Sequence, residues 1–188
     1  MIQEIKITIG GSAGVGKSSI LNRFLNDSFS NQYIPTFSDD EDCLVTIGSK
    51  QFRLNFIDTS GQEDFKENYE RLSRGCDVLL LVFSTDLKES QDNVLHLAQQ
   101  TNLPFLIVCN KIDLVTGQKY LIPEKILQIC PDALTTSALN GQNIKKSIVR
   151  VVSRVSPVRN LNNPGFFSKV FGCGGIEEED EPTIIIHK

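Results

Sequence analysis

What this sequence lacks narrows its possible roles. No apolar run approaches the ~18 residues of a membrane span, and no charged-then-apolar leader opens the chain. Histidine occurs only twice, as His96 and His187, and neither is expected in a metal cluster or a catalytic role. The five cysteines, Cys43, Cys76, Cys109, Cys130 and Cys173, are scattered, with no C-x-x-C pair. They read as reduced thiols, most of them beside apolar stretches, in a cytosolic setting. There is no basic surplus: 19 Lys and Arg stand against 23 Asp and Glu, a net charge of -4. No global field therefore draws a nucleic-acid polymer, and a phosphate-bearing ligand must be held by local chemistry. No internal repeat is visible.

What remains is the composition of one soluble domain, 188 residues at 40% hydrophobic and 22% charged. Short apolar runs alternate with helical patterns. Ile5–Ile9 reads as a strand, and residues 17–26 as a helix with Ile20, Leu21, Phe24 and Leu25 on one face. Cys43–Ile47 and Phe52–Asp58 flank Gly48-Ser49-Lys50 as a hairpin. The unbroken runs Val78–Phe83 and Phe105–Cys109 suit central strands covered on both faces. Further helices are expected at 62–74, 87–100, 123–130 and 141–155, the last carrying Ile144, Ile148, Val151, Val152 and Val155 in one stripe. This is an α/β pattern with a mostly parallel sheet. Residues 1–156 form the expected domain. Pro157, Pro164, the Gly172–Gly175 stretch and the acidic block Glu177–Glu181 make 157–188 an expected flexible tail.

Gly11-Ser12-Ala13-Gly14-Val15-Gly16-Lys17-Ser18 fits G-x-x-x-x-G-K-[ST] between a strand and a helix, the context that motif requires. Small residues let the backbone N–H groups of Ser12, Ala13, Gly14, Val15, Gly16 and the following Lys17, Ser18 and Ser19 curl around an anion. The helix N-terminus adds its dipole. Lys17 reaches the β- and γ-phosphates in this reading, and the Ser18 hydroxyl ligates Mg²⁺. The motif alone says nucleoside triphosphate, not which base.

Asp58 ends a strand in Asp58-Thr59-Ser60-Gly61-Gln62-Glu63. A carboxylate there can hold Mg²⁺ through a water, Gly61 lets the backbone approach a terminal phosphate, and Gln62 can orient an attacking water. Asn110-Lys111-Ile112-Asp113 follows the last strong apolar strand, at the carboxyl end of the sheet where ligands of open α/β sheets gather. Asp113 can accept from guanine N1–H and the 2-amino group. Adenine lacks both donors and would leave the carboxylate unpaired, at a cost of roughly 2–5 kcal/mol. Lys111 would lay its stem along the base, and Asn110 would tie this loop to the phosphate loop.

These residues carry a resemblance. Asp58–Glu63, 41 residues after Lys17, resembles the D-T-A-G-Q-E signature of the Ras superfamily of small GTPases. Phe29-Ser30-Asn31-Gln32-Tyr33-Ile34-Pro35-Thr36 resembles its first switch segment, in the Y-[VI]-P-T form of the Rho branch. Thr136-Ser137-Ala138-Leu139 resembles the S-A-[KL] loop, Leu139 being the Rho-like variant. The resemblance implies the P-loop GTPase fold, a mostly parallel six-stranded sheet flanked by about five helices. It implies that Phe29 packs on guanine, that Tyr33, beside Pro35, covers the phosphates, and that the Thr36 hydroxyl ligates Mg²⁺ only in the GTP state. The Ala138 N–H would donate to guanine O6. GTP/GDP and Mg²⁺ are the implied ligands, with Gln62, Lys17 and Thr36 catalytic. Effectors, an exchange factor and a GTPase-activating protein would engage the switch loops of a monomer.

The chain departs from the pattern in places. Ala13 stands where many relatives carry glycine to admit an activating arginine, so slow turnover is expected. The 52 residues from Asp58 to Asn110 are a few short, and the Rho-type helical insert is missing between Leu114 and Pro123. Ile185-Ile186-His187-Lys188 is no prenylation box, and Met1-Ile2 is no myristoylation site, so membrane association is expected to be weak or through a partner. Two rivals stand beside the switch reading. One is a GTP-locked interaction module; the other, a P-loop kinase, would have no need of Asn110–Asp113.

Overall fold

The computed structural model describes residues 2–29, 40–58, 75–116, 120–156 and 184–187. Among these residues seven strands make one sheet: β1 (Gln3–Gly10), β2 (Asp40–Ile47), β3 (Lys50–Asp58), β4 (Val78–Ser84), β5 (Phe105–Asn110), β6 (Leu134–Thr135) and β7 (Ile184–His187), in the order β6-β5-β4-β1-β3-β2-β7. β1 runs parallel to β3 on one side and to β4 on the other, with Ile7 opposite both Phe56 and Val78. β5 and β6 continue the parallel set. β2 is antiparallel to β3 across the turn at Gly48 and Ser49.

Burial explains each strand's composition. Every residue of β4 is buried, as its unbroken Val-Leu-Leu-Leu-Val-Phe run requires of a strand covered on both faces. The described helices are α1 (Lys17–Asn26), α2 (Glu89–Gln100), α3 (Glu124–Ile129) and α4 (Ile144–Ser153), of which α2 and α4 pack on β4. On α1, Ile20, Leu21 and Phe24 face inward, and the Phe24 ring meets Phe56 of β3 edge-on at 5.7 Å. Such an aromatic pair adds about 0.5–1.5 kcal/mol beyond its area. On α4 the stripe Ile144, Ile148, Val151 and Val152 is buried as expected. That helix starts at 144 and not 141 because Asn143 takes a left-handed turn, φ 57°. The helix expected at 62–74 lies outside the described residues.

Cys76, Cys109 and Cys130 are buried and Cys43 is half-buried, all four free thiols. Burial pushes the Cys109 thiol up to about 12. Burial, with Asp42 and Glu41 beside it, pushes Cys43 to about 11. Both stay protonated and unreactive at neutral pH.

One element adds to the six-stranded expectation. Ile184–His187, in the segment read as tail, pairs antiparallel with β2, Ile184 opposite Ile47 and His187 opposite Leu44. Its residues alternate as a one-sided strand must: Ile184 is buried and Ile186 packs on the core, while Ile185 is 52% exposed. The Thr46 hydroxyl and His187 Nε2 hydrogen-bond at 2.8 Å. No helix among the described residues is long and apolar enough to cross a membrane.

Strand order reverses at β1: from it the chain passes to β3 on one side and β4 on the other. The loops after β1, β4, β5 and β6 all leave the carboxyl edge of the sheet, so their residues can converge on one crevice.

Candidate functional site

The loop after β1 is shaped by close backbone contacts. At Gly11, φ is 148° and an added Cβ would lie 2.1 Å from the Val82 carbonyl oxygen of β4. At Gly16, φ is 95° and an added Cβ would lie 2.4 Å from the Asn110 side-chain nitrogen. Only glycine fits either place. Gly16 caps α1, so the first turn of that helix opens toward the loop. Lys17 is 6% exposed, and its ammonium donates to the carbonyls of Gly11 and Ser12, both at 3.0 Å. The loop thus wraps around a buried positive charge. Val15 is buried, Ala13, Ser18 and Ser19 are half-buried, and Gly14 is exposed at the loop's outer turn. Ser12 is buried, its hydroxyl accepting from the Asn93 amide of α2 at 3.0 Å.

Asn110, 1% exposed at the end of β5, joins this loop to the one after β6. Its amide donates to the Val15 carbonyl at 3.0 Å. Its side-chain oxygen accepts from the Ala138 N–H at 3.2 Å and the Thr136 hydroxyl at 3.4 Å. The Ala138 amide, assigned to a guanine oxygen by resemblance, therefore has a partner within the protein. Lys111 sits in a left-handed conformation, φ 61°, and its ammonium pairs with Asp86 at 2.8 Å. Its carbonyl accepts from the Thr85 hydroxyl at 2.8 Å. Asp113 lies in a 3-10 turn, Ile112–Leu114, and accepts a hydrogen bond from the buried Ser137 hydroxyl. Ala138 is buried, and Leu139 is 47% exposed.

Lys17, Asn110, Asp113, Ser137 and Ala138, drawn from segments far apart in the chain, thus meet at one edge of the sheet. The Phe29 ring packs against the core beyond α1. Asp58 closes β3, opposite Ile9 of β1, so its backbone leaves the sheet on the same edge. Tyr33, Pro35, Thr36, Gly61 and Gln62 lie outside the described residues.

Four contributors escaped the motif reading. Arg23 of α1 donates to the carbonyls of Ala138 and Leu139. Asp86 and Thr85 hold Lys111, and Asn93 holds Ser12. The available signal for the middle pair was position: Ser84-Thr85-Asp86 is a polar triplet at the carboxyl end of an otherwise apolar central strand. Burial works to raise the Asp86 carboxyl, but the Lys111 ammonium and the Ser84 hydroxyl, 2.6 Å away, outweigh it and hold it below the ordinary value.

The arrangement can do two things chemically. One half offers curled backbone and a buried ammonium to an oxyanion; the other offers a fixed carboxylate to paired N–H donors. The Ras family profile matches residues 6–157. Among curated proteins the chain is similar to the Ras-related protein RABG3d of Arabidopsis thaliana, 34% identical over 132 residues, covering 64% of each chain. It is similar to the Ras-related protein Rab7 of Pisum sativum, 31% identical over 160 residues, covering 76% of this chain and 78% of that one. To the Ras-related protein Ral-a of Drosophila melanogaster it is 32% identical over 154 residues, covering 75% of each.

These relatives correct the Rho-like assignment. Tyr33–Thr36 and Leu139 are short local strings, whereas similarity over 130 residues and more runs to Rab and Ral proteins. The missing insert after Leu114 already told against a Rho frame. Continuous similarity samples the whole packed domain, and so outweighs a handful of loop positions. The chain belongs to the Ras family, a Ras-superfamily small GTPase of Rab- and Ral-like kind with the P-loop GTPase fold.

Proposed function

We propose that this protein is a guanine-nucleotide switch that binds GTP and GDP with Mg²⁺ and hydrolyses GTP slowly. The observation that carries the reading is Asn110, which bonds the phosphate loop at Val15 and the base loop at Ala138 at once. That bridge sets a buried ammonium and a fixed Asp113 carboxylate on one sheet edge, as a ligand with phosphates at one end and guanine at the other requires.

Lys17 and the loop amides stabilise charge that develops on the γ-phosphate, and Gln62 orients the attacking water. Ser18, Thr36 and, through a water, Asp58 would hold Mg²⁺, which would supply further positive charge to the phosphates. Asp113 selects guanine. Loss of the γ-phosphate removes the partner of Thr36 and Gly61, so the segments bearing them relax and effectors dissociate. An exchange factor and an activating protein act on the same segments, in the cytoplasm or at the periphery of a membrane.

The test is single-turnover hydrolysis of Mg²⁺-GTP alongside nucleotide affinity. Tight guanine-specific binding with slow turnover, slowed further by Gln62→Leu at unchanged affinity, is the expected result. Tight binding without turnover would replace the switch by a GTP-locked module. In the same assay Asp113→Asn should shift preference toward xanthosine triphosphate, and unchanged GTP affinity would remove Asp113 from base reading.

A further inference from the structure

Arg23 lies in the last turn of α1, and its guanidinium reaches a loop more than a hundred residues later in the chain. Nε donates to the Ala138 carbonyl at 2.8 Å and Nη2 to the Leu139 carbonyl at 2.6 Å. Nη1 donates to the Asp27 carbonyl at 2.9 Å, with the Asp27 carboxylate at 3.4 Å. The side chain is 17% exposed; its bond to Ala138 is partly buried, while those to Leu139 and Asp27 lie at the surface. A planar fork satisfying two consecutive carbonyls fixes a loop's orientation as well as its distance, which a single ammonium cannot do.

The loop it grips is the one that sets Asp113. Asn110 holds the Ala138 N–H from one side while Arg23 holds its carbonyl from the other. The preceding residue, Ser137, donates its hydroxyl to the Asp113 carboxylate. Slack in the 138–139 peptides therefore passes directly to the group that faces guanine's N1–H and 2-amino donors.

We infer that Arg23 is a positioning residue for base recognition: by clamping the Ala138 and Leu139 carbonyls it holds Ser137 and Asp113 in register and slows release of guanine nucleoside diphosphate. This rests on the guanine-nucleotide reading above.

The experiment measures dissociation of GDP and of inosine diphosphate, which lacks the 2-amino group, from the full chain and its Arg23→Ala and Arg23→Lys variants. Arg23→Ala should release GDP about tenfold faster than wild type, but speed inosine diphosphate only about twofold. Arg23→Lys keeps a positive charge at the end of α1 and loses the fork. It should fold as wild type does and release GDP at an intermediate rate, so it carries the test should the alanine variant fail to fold. Wild-type release from Arg23→Lys would reduce Arg23 to a helix-end charge and overturn the inference. Equal acceleration of both nucleotides would also overturn it, since general loosening does not distinguish bases. A wild-type chain that retains no guanine nucleotide would remove the functional reading and this inference together, whereas retention with unaltered release from both variants removes the inference alone.

Discussion

The two halves of the site are built by different means. The proposed phosphate half, residues 11–19, is made of backbone: glycine conformations, a helix start and one lysine folded back on its own loop. The proposed base half is made of side chains from separate elements: Asn110, Asp86, Arg23 and Ser137 each hold a neighbour's peptide or charge. A backbone cradle is written in one contiguous string, because the constraint on each residue is local. A side-chain clamp is written in residues that meet only after folding. The first kind fails sharply when a glycine gains a methyl group; the second should yield by degrees, as its contacts are removed one by one.

The largest effect is expected at Gly11. In Gly11→Ala the new Cβ would lie 2.1 Å from the Val82 carbonyl, and Val82 belongs to a strand with no exposed residue. Either β1 and β4 separate or the loop moves, and the φ of 148° adds strain. A loss of about 4 kcal/mol is expected, a large part of the stability of an ordinary domain. Thermal unfolding should show it as a Tm lower by about 10 °C. A Tm unchanged to within about 2 °C would mean that the loop repacks freely, and that the contrast with the base half is false.

Asn110 belongs to both halves, and its variants separate them. Asn110→Ala strands the buried Val15 carbonyl and the Ala138 N–H together, costing about 2–4 kcal/mol and speeding GDP release about a hundredfold. Asn110→Asp keeps the oxygen that accepts from Ala138 and Thr136 but turns a negative oxygen toward the Val15 carbonyl. It should loosen the phosphate half while leaving guanine-over-adenine selectivity near wild type. If selectivity collapses as well, the two halves are one unit and the comparison is too coarse.

That division also decides what could be read before folding. Strands β1, β4 and β5 and helices α1 and α4 were legible because apolar periodicity is a local property and each segment buries a face of its own. The Gly11–Ser18 loop was legible for the same reason. Arg23 was not: six residues after Lys17 it reads as an ordinary helix-end charge, and its partners at 138 and 139 are invisible until β6 lies beside β5 and α1 crosses behind. β7 was missed because four residues past an acidic block bury little alone, and become a strand only where the β2 edge lends hydrogen bonds and a place for Ile184. The Rho-like assignment went astray through weight given to four switch residues over the frame that carries them.

The smallest effect is expected at Asp86, and pH isolates it. The Asp86–Lys111 pair spans 2.8 Å but is partly exposed, 40% on the carboxylate side and 29% on the ammonium side. Screening should hold the loss in Asp86→Asn to about 0.5 kcal/mol, for the amide still accepts from Ser84. The folded-state carboxyl is held below its ordinary value, so its contribution to stability is complete above the unfolded carboxylate range and is lost as pH falls through the lowered folded value. A plot of Tm against pH should show wild type slightly above Asp86→Asn at neutral pH, with the gap constant down to the ordinary carboxylate range and closing below it. A gap that persists in strong acid would assign the difference to packing. A gap that closes near neutral pH would point to another titrating group, and would leave Lys111 positioned by its Thr85 bond alone.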